Sequence, residues 1–225
     1  MTEVAPVTVA EAERVQEALR RRVDLTIPLP GPPATVAGLD VSYEVGSDRV
    51  VAAAVLLDVA TARVRRAEFA VGEVNFPYVP GLLAFREVPF LLAALEKLTV
   101  RPDVLVCDGY GVAHPRRFGL ACHLGVLTGL PSLGVAKTPF TARFDPPEQA
   151  RGAWSPLVDG GETVGRAVRT QTGVKPVFVS VGHRIGLAEA TGLTLALAPR
   201  YRIPEPTRQA DLLSRTVLRE LPPAG

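Results

Sequence analysis

Three strand-like runs, TVAGLDVSYE, RVVAAAVLLDV and ARVRRAEFAV, follow one another between residues 35 and 71 with only turn residues separating them. Runs this closely spaced pair antiparallel, because a parallel partner needs a crossover of a dozen or more residues. The third alternates well enough to present one solvated face, so it is a candidate edge. The pattern then changes. DVLVCD reads as a strand, FGLACHLGVLTGL as a helix and PSLGVAK as a second strand, the alternation of parallel βα units. An antiparallel opening joined to a parallel section predicts an α/β fold, with a mixed sheet flanked by helices on both faces.

The remaining elements fit around that sheet. Residues 8–22 place Val9, Ala12, Val15, Ala18 and Leu19 at helical spacing, opened by a Thr8/Glu11 capping box. A Pro-rich linker covers residues 27–33, and NFPYVPG forms a stiff aromatic loop. Residues 82–98 are helical in pattern, although Pro89 must open that helix or kink it. Strand-like segments follow at 154–157, 164–169 and 177–180, with closing helices at 187–197 and 206–221. There is no internal repeat and no second linker, and 47% of the 225 residues are hydrophobic. One domain spanning residues 1–225 is therefore expected.

Charge narrows the function classes. A net charge of +2 does not suggest a polybasic tail but leaves room for a basic groove, and the pI near 8.7 leans toward polyanionic partners. Of the 25 basic side chains only Lys97, Lys137 and Lys175 are lysines. In so arginine-rich a chain a retained lysine is informative, because its ammonium is a compact point charge. Cys107 and Cys122 lack zinc-ligand spacing and sit in apolar runs, so both are expected to be packing residues. The N-terminal segment lacks a signal-type apolar core, and no apolar run reaches the length of a membrane span. A soluble protein of a reducing, cytoplasmic compartment is expected.

Carboxylates in apolar settings carry the chemistry. Asp40 sits in VAGLDV and Asp108 ends VLVCD, while Glu87 has Leu83, Ala84, Phe90, Leu91 and Ala94 at neighbouring helical positions. Any one of these acids alone reads as a turn, cap or solvated helix-edge residue. Together they suggest acids that need a cation, and oxygen donors favour Mg²⁺ or Mn²⁺ over zinc. His114 lies in the glycine-rich loop GVAHPRR with Arg116 and Arg117, whereas His123 falls inside an apolar helix and reads as a satisfied core residue. His183 and Arg184 follow a strand and precede a helix, a favourable place for an anion.

VAGLDVSY, NFPYVPGLLAFRE, DGYGVAHPRRFGLACHLGVLTGLPSLGVAKT, VSVGHRIGL and YRIPEPTRQAD occur in this order and cover most of the chain. Together they resemble endonuclease V, the deoxyinosine-directed repair nuclease family. The resemblance implies a ribonuclease-H-like fold and metal-binding roles for Asp40, Glu87 and Asp108. It also implies a fourth position at Asp211, which is Asp in some members and His in others. Lys137 matches the family's active-site lysine. Pro77, Tyr78, Val79 and Pro80 match a strand-parting wedge, with Val79 where Ile is more usual. Gly81, Leu83, Gly109, His114 and Phe140 match the pocket for a flipped hypoxanthine, Phe140 replacing a smaller aliphatic residue of some relatives.

What the resemblance implies for activity is metal-dependent hydrolysis of DNA containing deoxyinosine, at the second phosphodiester 3′ of the lesion. The ends would be 3′-hydroxyl and 5′-phosphate, with Mg²⁺ as cofactor and Mn²⁺ substituting. His114 is the candidate for positioning the scissile strand, and His183 and Arg184 are candidate substrate contacts. A monomer acting on nucleic acid, without a membrane, is expected. Two alternatives stand beside this reading: an endoribonuclease acting on inosine in RNA, and a protein that binds lesions without cutting.

Overall fold

The structure, a computed structural model, describes residues 8–222. Helix α1 (Val9–Arg20) precedes β1 (Thr35–Tyr43), β2 (Arg49–Asp58) and β3 (Val64–Glu73). Then come α2 (Ala84–Glu96), β4 (Val104–Asp108), α3 (Leu120–Thr128) and β5 (Ser132–Ala136). Strands β6 (Trp154–Asp159), β7 (Glu162–Val168) and β8 (Val177–His183) lead to α4 (Leu187–Ala196) and α5 (Glu205–Glu220). All eight strands form one sheet in the order β3-β2-β1-β4-β5-β8-β7-β6. The centre, β1-β4-β5, is parallel, and every other pairing is antiparallel. The short turns after β1 and β2 and the crossovers through α2 and α3 account for that division, and β3 is an edge.

Period-two alternation assigns the helices to faces. Val36, Val104, Val106, Leu133 and Val135 pack with residues of α4 and α5, whereas Ala37, Leu39, Leu105 and Cys107 pack with α2 and α3. The acids inherit this parity. Asp40 and Asp108 follow Val36 and Val106 onto the α5 face, and Tyr43 follows Leu39 toward α2. Gly38 sets how closely α5 approaches. A Cβ there would lie 2.1 Å from the Pro206 backbone, so only glycine lets the first turn of α5 rest on β1.

One detail settles an alternative the sequence left open, and two expectations hold. Helix α2 starts at Ala84 and runs through Pro89, which therefore lies inside the helix and does not open it. The α1 capping box is present in both directions, Glu11 N–H to the Thr8 hydroxyl at 3.2 Å and Thr8 N–H to the Glu11 carboxylate at 3.0 Å. Both cysteines are buried and free. No helix of the described residues is long and apolar enough to cross a membrane.

Candidate active site

Strand register brings the first two acids together. Leu39 of β1 pairs with Cys107 of β4, so Asp40 and Asp108 are next neighbours at the carboxyl ends of adjacent parallel strands, about 4.8 Å apart in the sheet direction. Lys137 follows β5 directly, and its Nζ forms an ion pair with the Asp108 carboxylate. On the α5 side Asp211 faces the same space, its Oδ1 accepting from Arg215 Nε at 2.8 Å. A Ser42–Ser214 hydroxyl pair at 2.8 Å fastens α5 to the end of β1. The result is an open cavity of about 500 Å³ lined by Asp40, Asp108, Asp211, Lys137 and Arg215 among others.

Glu87 reaches the site from the opposite face. It is 8% exposed and accepts a hydrogen bond from the Tyr43 hydroxyl at 3.1 Å. It shares with Asp108 the wall of a second, more enclosed cavity of about 90 Å³. Gly81, Leu83, Gly109, Tyr110, His114 and Phe140 also line that cavity. Tyr110 and His114 meet the Phe140 ring edge-on at centroid distances of 5.3 and 5.4 Å, and the Tyr110 hydroxyl donates to the Thr138 carbonyl at 3.0 Å. Gly81, at φ +84°, turns the chain in a conformation that other residues rarely adopt.

Burial disfavours charge in both cavities. Burial first, and the neighbouring Asp108 charge second, push the Asp40 carboxyl up to about 8. Burial likewise raises Glu87 to about 7. Each of these acids favours a proton over a bare charge, the signature of a carboxylate without enough positive partners. His114 is displaced the other way, to about 4, by burial and then by Arg116. Its Nδ1 accepts from the Arg116 N–H at 3.2 Å, which places the ring proton on Nε2 in the neutral form.

The donor set fits a hard divalent cation. It offers carboxylate oxygens alone, and a cation would replace the protons that Asp40 and Glu87 otherwise retain. Among the described residues no three His, Cys, Asp or Glu side chains stand close enough to form a ready cage. The acids form an arc instead, with Asp40, Asp108 and Asp211 around one cavity and Glu87 beyond Asp108.

The 77–80 segment flanks the enclosed cavity. Tyr78 is 69% exposed, and Pro77 and Pro80 are exposed beside it. The loop is tied back by Arg86, whose Nη1 donates to the Phe76 carbonyl. His183 and Arg184 are not at this site. Strand β8 runs antiparallel to β5, so His183 pairs with Ser132 at the start of β5. That places it roughly 16 Å along the strand from Lys137. His183 Nδ1 accepts from the Asp24 N–H at 3.1 Å, and Arg184 donates to the Gly129 carbonyl at 3.2 Å. The Glu189 carboxylate already accepts the Gly186 N–H at 2.8 Å before α4, so the anion position expected there is filled by the chain itself.

His123 also departs from expectation. It is buried between Phe85 and Phe118, but its Nδ1 has no partner. Sequence reasoning missed Tyr43 as the partner of Glu87, because period-two alternation puts it on the sheet face opposite Asp40. It also missed Tyr110, whose place in DGYG reads as part of a turn.

The endonuclease V family model matches residues 17–212. An endonuclease V from Streptomyces avermitilis is 62% identical over 96% of this chain and 94% of its own length. A crystal structure of endonuclease V from that organism superposes with a TM-score of 0.93 at 61% identity, covering 96% of this chain and 95% of that one. Endonuclease V from Ciona intestinalis, in complex with a 24mer DNA containing an inosine followed by a ribo-adenosine, superposes with a TM-score of 0.83. That match has 28% identity and covers 94% of this chain and 98% of that one. The sheet and its flanking helices are accordingly of the ribonuclease-H-like kind.

Proposed function

Because this chain belongs to the endonuclease V family, and is therefore an endonuclease, we propose that it is a cytoplasmic, single-domain, monomeric DNA repair enzyme that cuts beside deoxyinosine. The bond hydrolysed is the second phosphodiester 3′ of the lesion, leaving 3′-hydroxyl and 5′-phosphate ends. One observation carries the reading: Asp108 belongs at once to the open carboxylate cavity and to the wall of the enclosed pocket. Chemistry on the strand and recognition of a base are thereby held at a fixed separation.

Asp40 and Asp108 would hold Mg²⁺, for which Mn²⁺ substitutes, with Glu87 and Asp211 completing or orienting the set. A bound divalent cation supplies charge stabilisation and activation of water. Lys137, already at Asp108, sets its ammonium beside the scissile phosphate, where negative charge accumulates during hydrolysis. His114, neutral and fixed in one tautomer, positions the strand from the pocket wall. Gly81, Leu83, Gly109 and Phe140 form the pocket for the flipped base. The segment Pro77-Tyr78-Val79-Pro80 presents an exposed ring that fills the gap the base leaves.

A second reading, cleavage 3′ of inosine in RNA, draws support from the ribo-adenosine that follows inosine in the Ciona complex. Matched oligonucleotides carrying deoxyinosine in DNA or inosine in RNA, incubated with Mg²⁺ or with EDTA and mapped at the cut, separate the two. Mg²⁺-dependent cutting of the DNA at the second 3′ phosphodiester supports the proposal. Cutting confined to RNA moves the assignment to the second reading, and binding without cutting of either contradicts both.

A further inference from the structure

Helix α1 takes no part in the functional reading, yet its one fully buried polar side chain reaches the recognition pocket. Gln16 is 2% exposed. Its Nε2 donates to the Gly81 carbonyl at 2.9 Å and to the Phe118 carbonyl at 3.1 Å. Its Oε1 accepts from Arg116 Nη1 at 3.1 Å. Arg116 is held in turn by Glu13, one helical turn earlier on α1. The orientation of the amide is not arbitrary. Turned over, it would face two acceptors with an acceptor and a guanidinium with a donor.

Gly81 and Phe118 both line the enclosed pocket, but they come from separate parts of the chain. Gly81 ends the loop that carries Tyr78, and Phe118 ends the GVAHPRRF loop that carries His114. A single carboxamide therefore spans the two walls. The sequence gives no sign of this, since a glutamine in an amphipathic helix reads as a surface residue.

Resting on the reading of this pocket as the base-recognition site, we infer that Gln16 is a positioning residue that sets the spacing of the two loops, and with it the preference for the modified base. It touches neither substrate nor reacting atoms; it acts through Gly81 and Phe118. Leucine at this position keeps the apolar volume but removes both donors, so the loops lose their common anchor while α1 can still pack through Ala12 and Leu19.

The test compares full-length protein with Gln16→Leu, measuring affinity in Mg²⁺-free buffer for a deoxyinosine duplex and for the same duplex with deoxyadenosine. The expected result is a roughly tenfold loss of the inosine-to-adenine affinity ratio with binding to the adenine duplex unchanged, the scale on which small misplacements of a site act. A purely structural role would lower the melting temperature and the active fraction, and neither alters that ratio. Where Gln16→Leu does not fold, Arg116→Gln decides. It removes the outer prop at a half-exposed position and is expected to move the ratio in the same direction by a smaller factor. An unchanged ratio in whichever variant folds overturns the inference. Absence of any inosine preference in the unaltered chain overturns the functional reading itself, and the two failures are thus distinguishable.

Discussion

At the amino ends of β1 and β4, Asp103 accepts from the backbone amides of Ala34 and Thr35, both at 2.9 Å, and from the Thr35 hydroxyl at 3.1 Å. Nearby, Asp24 accepts from the Thr26 amide and hydroxyl, and those bonds lower its pKa. At the carboxyl ends of the same strands, Asp40 accepts one backbone bond, from Val41 at 2.8 Å, and its carboxyl is pushed up to about 8. Glu87 has the Tyr43 hydroxyl and sits at about 7. The residue types match; the surroundings do not. Acids at one end are supplied with donors by their own chain and serve the fold. Asp40 and Glu87, at the other, are buried with too few donors, and an incoming cation would relieve them.

Exchanging charge for shape at each end should therefore have opposite consequences. Asp40→Asn is expected to reduce cleavage of a deoxyinosine duplex a thousandfold or more, the order seen when a group acting directly on the transition state is lost. In EDTA at pH 8 the same variant should melt no lower than the parent. A raised carboxyl pKa contributes stability below the unfolded value of 3.8 that is lost as the pH rises toward 8, and asparagine carries no such penalty. A clear drop in melting temperature would mean that Asp40 belongs with the structural acids.

Lys137→Ala should slow cleavage about a hundredfold with little change in binding, and Lys137→Arg should restore only part of it, since a planar fork does not reproduce a point charge. Full activity in the arginine variant would show that the identity of the residue is incidental.

The buried histidines extend the comparison into the core. His123, between two phenylalanines with its Nδ1 unpartnered, is lowered by burial to about 4. The unfolded chain takes up this proton near pH 6.5 and the folded chain only near 4, so stability is retained above 6.5 and falls as the pH drops toward 4. The loss amounts to about 3 kcal/mol at the acid limit. Denaturant titrations across that window should show the parent losing stability relative to His123→Leu as the pH falls, and parallel curves would contradict the assignment.

The smallest effect is expected at the satisfied end. Asp103→Ala should cost about 1–2 kcal/mol of stability and leave cleavage unchanged well below the melting temperature. A selective loss of activity would break the distinction between the two ends.

Much of this was legible in sequence, because it depends on local pattern. An apolar run that stops at Asp108, and an Asp40 flanked by strand-like apolar residues, are written in consecutive letters, whereas their meeting rests on the β1–β4 register. The rest depends on long-range geometry. His183 and Arg184 follow a strand and precede a helix, as a phosphate site does, but antiparallel pairing of β8 carries them to the wrong end of the sheet. Gln16 acquires its partners 65 and 102 residues away, which no helical pattern encodes. The missing partner of His123 Nδ1 likewise emerges only once Phe85 and Phe118 are packed around it.

The acid cluster's role is tested most directly by following cleavage of a deoxyinosine duplex as Mg²⁺ is raised through the millimolar range, for the full chain and for Asp108→Asn, with strand binding measured in parallel. Cleavage should rise with Mg²⁺ in the unaltered chain and be absent in the variant, whose binding should stay within roughly tenfold of the parent. Metal-dependent cleavage by Asp108→Asn within about tenfold of the parent would contradict the account.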